Sequence, residues 1–349
     1  MFRTLAVALS IALPLTVPPP PPIAPGPSVG EPPAIESAAW IVVDSESGVV
    51  LAGKDIDIPR PMASVTKIMT AMVVVDNAAM DEIVVISDRA ADVGESEIGV
   101  VAGERWTVGD LLTAMMVRSG NDAAVALAEY VGGSIEGFAV MMNAKAAELG
   151  LKNSQFRNPH GLDNDEHYTT PYDLVIMAQA ALAYPEIAEV ARVRVAQFAP
   201  DPSGNPRVAN ATNQLLGRYP GVIGLKTGYT AKAKKVLVTV ARTKGREIVT
   251  VVMGSEDHFG DTTELLAWAT ETYGLSERLL ALGRPKQGGA GISAYPPGLS
   301  DAVAARIVGI QQLVGAGEPA TVFETSGLAD EIETWLRTSM PGAAGGAGG

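Results

Sequence analysis

Three short segments in this chain carry residue types that can do chemistry together: Ser64-Val65-Thr66-Lys67, Ser119-Gly120-Asn121 and Lys226-Thr227-Gly228. A serine hydroxyl is a poor nucleophile until a nearby base takes its proton, and a lysine serves as that base only when burial or a neighbouring cation lowers its proton affinity. Ser64 and Lys67 are spaced to share one face of a helix, and Lys226 is the obvious second cation. The start of a helix also offers the Ser64 N–H to a developing oxyanion. The Ser119 hydroxyl can relay a proton to a departing amine, and the Asn121 amide can grip a substrate amide. Lys226 and Thr227 can jointly hold a carboxylate. Gly228, on a strand, lets a substrate backbone approach as an added strand would. The combined chemistry is acyl transfer at a peptide bond next to a free C-terminus.

Each segment alone has an ordinary explanation. Ser-x-x-Lys occurs as a surface serine beside a snorkelling lysine, Ser-Gly-Asn as a helix–helix corner, and Lys-Thr-Gly as a strand end with a solvated lysine. The flanks argue otherwise for Lys67, because an apolar helix has little reason to place a lysine one turn in.

The surrounding patterns supply the elements that must position these groups. Ala39–Val43 and Val49–Leu51 flank a Ser-Glu-Ser-Gly turn and read as a hairpin. Ser64–Val75 reads as a largely buried helix with Ser64 in its first turn. Val108–Tyr130 reads as two helices broken at residues 118–122, with Asn121 or Asp122 capping the second. Phe138–Leu149 is helical and stops at Gly150, and Pro171 opens another helix to about Ala183. Gly224–Tyr229, Val236–Ala241 and Ile248–Met253 are strand-like, and Thr262–Tyr273 is helical. Two early strands and three late ones predict a mostly antiparallel sheet of about five strands, flanked by helices, with a helical subdomain: an α/β (α+β) fold.

The 349 residues carry a net charge of -13, which argues against a nucleic-acid surface. There is no cysteine, which removes disulfides, thiolate metal sites and a cysteine nucleophile. His160 and His167 lack a third ligand at useful spacing, so no metal is expected and both read as structural. Residues 1–17 have the form of a signal peptide, with Arg3 ahead of an apolar run too short to span a bilayer comfortably. Residues 18–36 are a proline-rich linker favouring extended backbone. The catalytic domain is expected over 37–275. Residues 276–349 form a short C-terminal region that ends in a Gly/Ala-rich tail and holds no run apolar enough for a transmembrane anchor.

Ser-x-x-Lys, a Ser-x-Asn element and Lys-Thr-Gly in this order are the signature of penicillin-binding proteins and class A β-lactamases. The chain resembles the low-molecular-weight penicillin-binding proteins, the serine-type D-alanyl-D-alanine carboxypeptidases of peptidase family S11. The resemblance covers roughly Ser37–Tyr273. It includes the block Ala63–Ala71 and the run Phe156–Leu162, followed by His167 and Thr169-Thr170. It implies a β-lactamase/transpeptidase-like fold, with Ser64 as the acylated nucleophile, Lys67 as its base and Ser119 as the proton shuttle. Asn121 would orient the substrate, Lys226 and Thr227 would hold the terminal carboxylate, and the N–H groups of Ser64 and Tyr229 would form the oxyanion hole. The implied partners are peptidoglycan stem peptides ending in D-Ala-D-Ala and β-lactam antibiotics, with no cofactor. The implied location is extracytoplasmic, at the cell wall or secreted.

Two departures from the family pattern stand out. Lys234 and Lys235 occupy places where a glycine and an aromatic are usual, and the C-terminal region does not match the family's β-rich second domain. Three alternatives stay open on the sequence: a β-lactamase using Glu166 as deacylating base, an inactive peptidoglycan-binding homologue, and endopeptidase action by the same residues. The first is disfavoured because Thr170 stands where an asparagine is expected.

Overall fold

The computed structural model describes residues 31–243 and 245–282, together with the backbone of Ala24–Pro25. The signal peptide expected at 1–17, most of the linker and the chain beyond 282 lie outside the described residues.

A six-stranded sheet forms the centre. Its first strands are β1 (Ala24–Pro25), β2 (Ala39–Asp44) and β3 (Val49–Lys54). The chain then leaves the sheet. A single 3-10 turn, Ala63–Thr66, leads into α1 (Lys67–Asn77). The helical region continues through β4 (Ile83–Val85), α2 (Asp88–Ala91), β5 (Arg105–Thr107), α3 (Val108–Val117), α4 (Asn121–Gly132) and α5 (Ile135–Glu148). After α6 (Pro171–Leu182), α7 (Pro185–Val190) and a small hairpin of β6 (Val195–Phe198) and β7 (Arg207–Asn210), the chain returns to the sheet. β8 (Val222–Thr230), β9 (Lys234–Thr243) and β10 (Arg246–Ser255) form a meander, and α8 (His258–Leu282) follows.

The strand order is β1-β3-β2-β10-β9-β8, antiparallel except for the β1–β3 pair. The two chain ends of the domain therefore meet inside the sheet, with Val42 opposite Thr250. Period-two alternation divides the strands between two cores. Trp40, Val42, Ile248 and Val252 face α8 and pack on Leu265, Leu266 and Ala269. Ile41, Val43, Val238, Val249 and Val251 face the helical region and join the larger core. α1 runs through that core and is buried from Lys67 to Val74, as a helix apolar on all sides must be.

The expected hairpin, the break in the 108–130 run, the Gly150 stop and the late meander all appear. Three details differ. Ser64 lies in the 3-10 turn ahead of α1 rather than in an α-helical first turn. Neither Asn121 nor Asp122 caps α4: its N-cap is Gly120, and both side chains are committed elsewhere. The last helix starts at His258 and runs past residue 275. The β4–β5 and β6–β7 pairs have no counterpart in the expectations; each is only three or four residues per strand.

Candidate active site

The turn carrying Ser64 is wedged between β8 and the loop that precedes α6. Gly228 of β8 lies so close that a Cβ there would sit 2.9 Å from the Ser64 nitrogen and 3.0 Å from the Ala63 Cβ. On the other side Gly161, at φ +94, lies where a Cβ would fall 1.9 Å from the Ala63 carbonyl oxygen. Both glycines are required by backbone approach. For Gly228 the approaching backbone is the protein's own nucleophile turn, not only a bound substrate.

Ala63 has φ +50, an uncommon conformation for a residue with a side chain. The Thr66 hydroxyl helps hold it by donating to the Ala63 carbonyl at 2.7 Å. Thr66 in turn contacts His167 Nε2 at 2.8 Å, and His167 Nδ1 accepts the Arg157 N–H at 2.9 Å. A nitrogen that accepts carries no proton, so the imidazole is the Nε2–H tautomer and donates to Thr66. Burial lowers its proton affinity to about 4, against a smaller opposing pull from Asp163.

Lys67 is fully buried, and its ammonium position has three oxygen partners. Nζ donates to Ser64 Oγ at 3.0 Å, to Asn121 Oδ1 at 2.7 Å and to the His160 carbonyl at 2.8 Å. Burial, and then the charge of Lys226, hold its proton affinity well below the usual ammonium value, while Asp122 acts in the opposite sense. The sequence pointed to both causes. A lysine neutral near neutral pH, within hydrogen-bond reach of a serine hydroxyl, has the geometry of a nucleophile–base pair.

Lys226 is also buried, donating to Ser119 Oγ at 2.9 Å and to the Thr227 carbonyl at 2.9 Å. Burial brings its proton affinity down to about 7. The Thr227 hydroxyl donates to Thr212 Oγ1 at 2.6 Å. Ser119 sits at the corner between α3 and α4 with φ +66. The corner is rigid because Asp122 accepts from the backbone N–H groups of Ile98, Gly99 and Val100, while Asn121 Nδ2 donates to the Gly94 carbonyl. Ser64, Lys67, Ser119, Asn121, Lys226 and Thr227 thus form one hydrogen-bonded cluster with the Gly228 backbone against it. Tyr229, the next residue on β8, exposes its ring to solvent.

Three participants escaped the sequence reading. The His160 carbonyl and Gly161 act through backbone, which leaves no side-chain signature, and Thr212 lies outside any motif. Asp122 was seen only as a possible cap. The two unusual lysines point away from the cluster: Lys234 pairs with Glu256 at 3.8 Å, and Lys235 donates to the Glu256 carbonyl. Lys234 holds φ +57, which explains why glycine is the easier residue at that place. Glu166, the alternative deacylating base, lies in an exposed ion pair with Arg157 at 2.9 Å. Among the described residues no group of three or more His, Asp or Glu is placed to hold a metal ion.

Comparison with known proteins gives the same picture. The family model for D-alanyl-D-alanine carboxypeptidases, peptidase family S11, matches residues 27–257. The chain is 36% identical over 248 residues to the D-alanyl-D-alanine carboxypeptidase DacF of Bacillus subtilis, covering 69% of this chain and 64% of that protein's length. It is 37% identical over 242 residues to a D-alanyl-D-alanine carboxypeptidase of Mycobacterium tuberculosis, covering 66% of this chain and 80% of the other. Among solved structures, a Streptomyces DD-transpeptidase superposes with a TM-score of 0.66 at 30% identity, over 69% of this chain and all of the other. A match across this much of the chain, on this fold, makes it a member of the D-alanyl-D-alanine carboxypeptidase family, peptidase family S11.

Proposed function

We propose that the chain is a serine-type D-Ala-D-Ala carboxypeptidase that releases the terminal D-alanine of peptidoglycan stem peptides and is acylated by penicillins. The carrying observation is the 3.0 Å contact between Lys67 Nζ and Ser64 Oγ, with a second buried lysine 2.9 Å from Ser119. Lys226 and the Thr227 hydroxyl receive the terminal carboxylate, a charge-assisted contact in a water-poor site. Ser64 Oγ attacks the penultimate carbonyl as its proton passes to Lys67. The negative charge that develops on the carbonyl oxygen falls to the N–H groups of Ser64 and Tyr229. The C–N bond then breaks, the departing amine takes its proton through Ser119, and D-alanine leaves an ester on Ser64. Asn121 aligns the acyl chain. A water, deprotonated by the same lysine, hydrolyses the ester and restores the enzyme.

The residue span 37–275 is proposed as the catalytic domain, and the N-terminal apolar run as an export signal delivering it to the extracytoplasmic side. Among the described residues no single helix is long and apolar enough to cross a membrane. The deciding experiment is labelling with a fluorescent penicillin, followed by mass spectrometry of the adduct. Wild type should carry it on Ser64 and Ser64→Ala should not label. A wild type that fails to label, or an adduct on another serine, overturns the proposal.

A further inference from the structure

Beside the catalytic cluster lies a second recess that the acyl-transfer steps do not use. It is a cavity of about 630 Å³ enclosed by α2, the start of α5, the face of α4 and the loop 157–164. Its size is that of a ligand pocket. Two walls are shared with the active site. His160 lines the cavity while its carbonyl accepts from Lys67, and Val93 lines it next to Gly94, whose carbonyl holds Asn121. The carboxylate-holding pair, Lys226 and Thr227, belongs to β8 and the α3–α4 corner and does not line it. A peptide with its C-terminus on Lys226 and its carbonyl at Ser64 therefore runs its upstream residues toward this recess.

The lining has two parts. Val93, Val125, Ile135 and Leu162 give an apolar floor. The rim carries four carboxylates against two guanidiniums, and both arginines are already paired: Arg89 with Glu136 at 3.9 Å, Arg157 with Glu166 at 2.9 Å. Asp88 and Asp92, one helical turn apart, have no ion-pair partner among the described residues. His160 Nδ1 accepts the Leu162 N–H at 3.1 Å, so its Nε2 carries a proton and is a donor without a partner among the described residues.

We propose that this recess is a specificity subsite for a residue of the acyl chain whose side chain is an aliphatic stem ended by a free ammonium group, as in a diamino acid. The stem lies on the valine, isoleucine and leucine floor, as lysine stems do on apolar surfaces. The ammonium reaches Asp88 and Asp92. The Nε2–H of His160 is available to an acyl-chain carbonyl. A neutral or anionic side chain gains the floor but not the rim, so discrimination comes from the two unpaired aspartates.

This inference rests on the carboxypeptidase reading, and the test separates the two. Release of D-alanine from Nα-acetyl-Lys-D-Ala-D-Ala and from its Nα,Nε-diacetyl form is compared for wild type and the Asp88→Asn/Asp92→Asn variant, with penicillin labelling run alongside. Wild type should favour the free ammonium by about fivefold to tenfold in kcat/KM at low salt, fading as salt rises. The variant should lose that preference and label with penicillin at the wild-type rate. A wild type indifferent to acetylation, or a preference surviving in the variant, overturns the subsite while leaving the carboxypeptidase intact. Absence of both labelling and D-alanine release removes the parent reading and the subsite with it.

Discussion

His167 offers a direct test of how the nucleophile turn is held. In the folded protein its proton affinity falls from 6.5 to about 4, and its side chain is only 3% exposed. The neutral form is therefore the folded form. Protonating Nδ1 would set a second donor against the Arg157 N–H at 2.9 Å. Because the unfolded chain binds the proton more readily, stability from this group is complete above pH 6.5 and declines as pH falls toward 4. At 1.36 kcal/mol per pH unit, the loss from His167 reaches about 2 kcal/mol by pH 5 and about 3 kcal/mol below pH 4. His160, lowered to about 3 chiefly by burial and then by Lys67, adds in the same direction. Urea unfolding at pH 7.5, 6 and 5 measures the total. His167→Asn keeps an acceptor near Nδ1 and removes the titration, so its stability should fall by about 2 kcal/mol less than wild type over that range. Equal losses in the two proteins would refute the assignment of His167 as the neutral link between Thr66 and Arg157.

The remaining predictions concern the lysines. Lys67→Ala should lower the rate of penicillin acylation by about 150-fold or more, equivalent to about 3 kcal/mol of lost transition-state stabilisation, in stopped-flow acylation kinetics. Lys226→Ala should cut kcat/KM for peptides with a free C-terminal carboxylate by about 100-fold and spare amidated analogues. It should also shift the acid limb of the acylation profile to higher pH, since removing that cation lets Lys67 hold its proton more tightly. Lys234→Gly should stabilise the fold by about 1 kcal/mol, because glycine takes φ +57 freely. The exposed contact with Glu256 at 3.8 Å offsets little of that. A thermal melt should then rise by about 2–4 °C.

The hairpin, the broken 108–130 run and the late meander were legible because their apolar periods and punctuating residues act locally. Ser64, Lys67, Ser119, Asn121, Lys226 and Thr227 were legible as a set because acyl transfer needs those functional groups in some order. What stayed hidden works through backbone or through distance. The His160 carbonyl gives no clue in the letter His, and Asp122 looked like a helix cap because its N–H partners at 98–100 come from a separate loop. The recess on α2 was invisible for a similar reason: its floor valines and rim aspartates come from four segments, none patterned by itself.

The pairing of β2 with β10 sets a schedule for the molecule. The first complete strand to be synthesised has to wait for the last before its free edge is filled, and Ser64 has no seat until Gly228 arrives between them. Long-range pairings of this kind form slowly, because the closure entropy comes before the reward. A ribosome-bound chain halted before residue 255 holds every catalytic side chain and yet no working centre. Reactivity is switched on by completion of the domain itself.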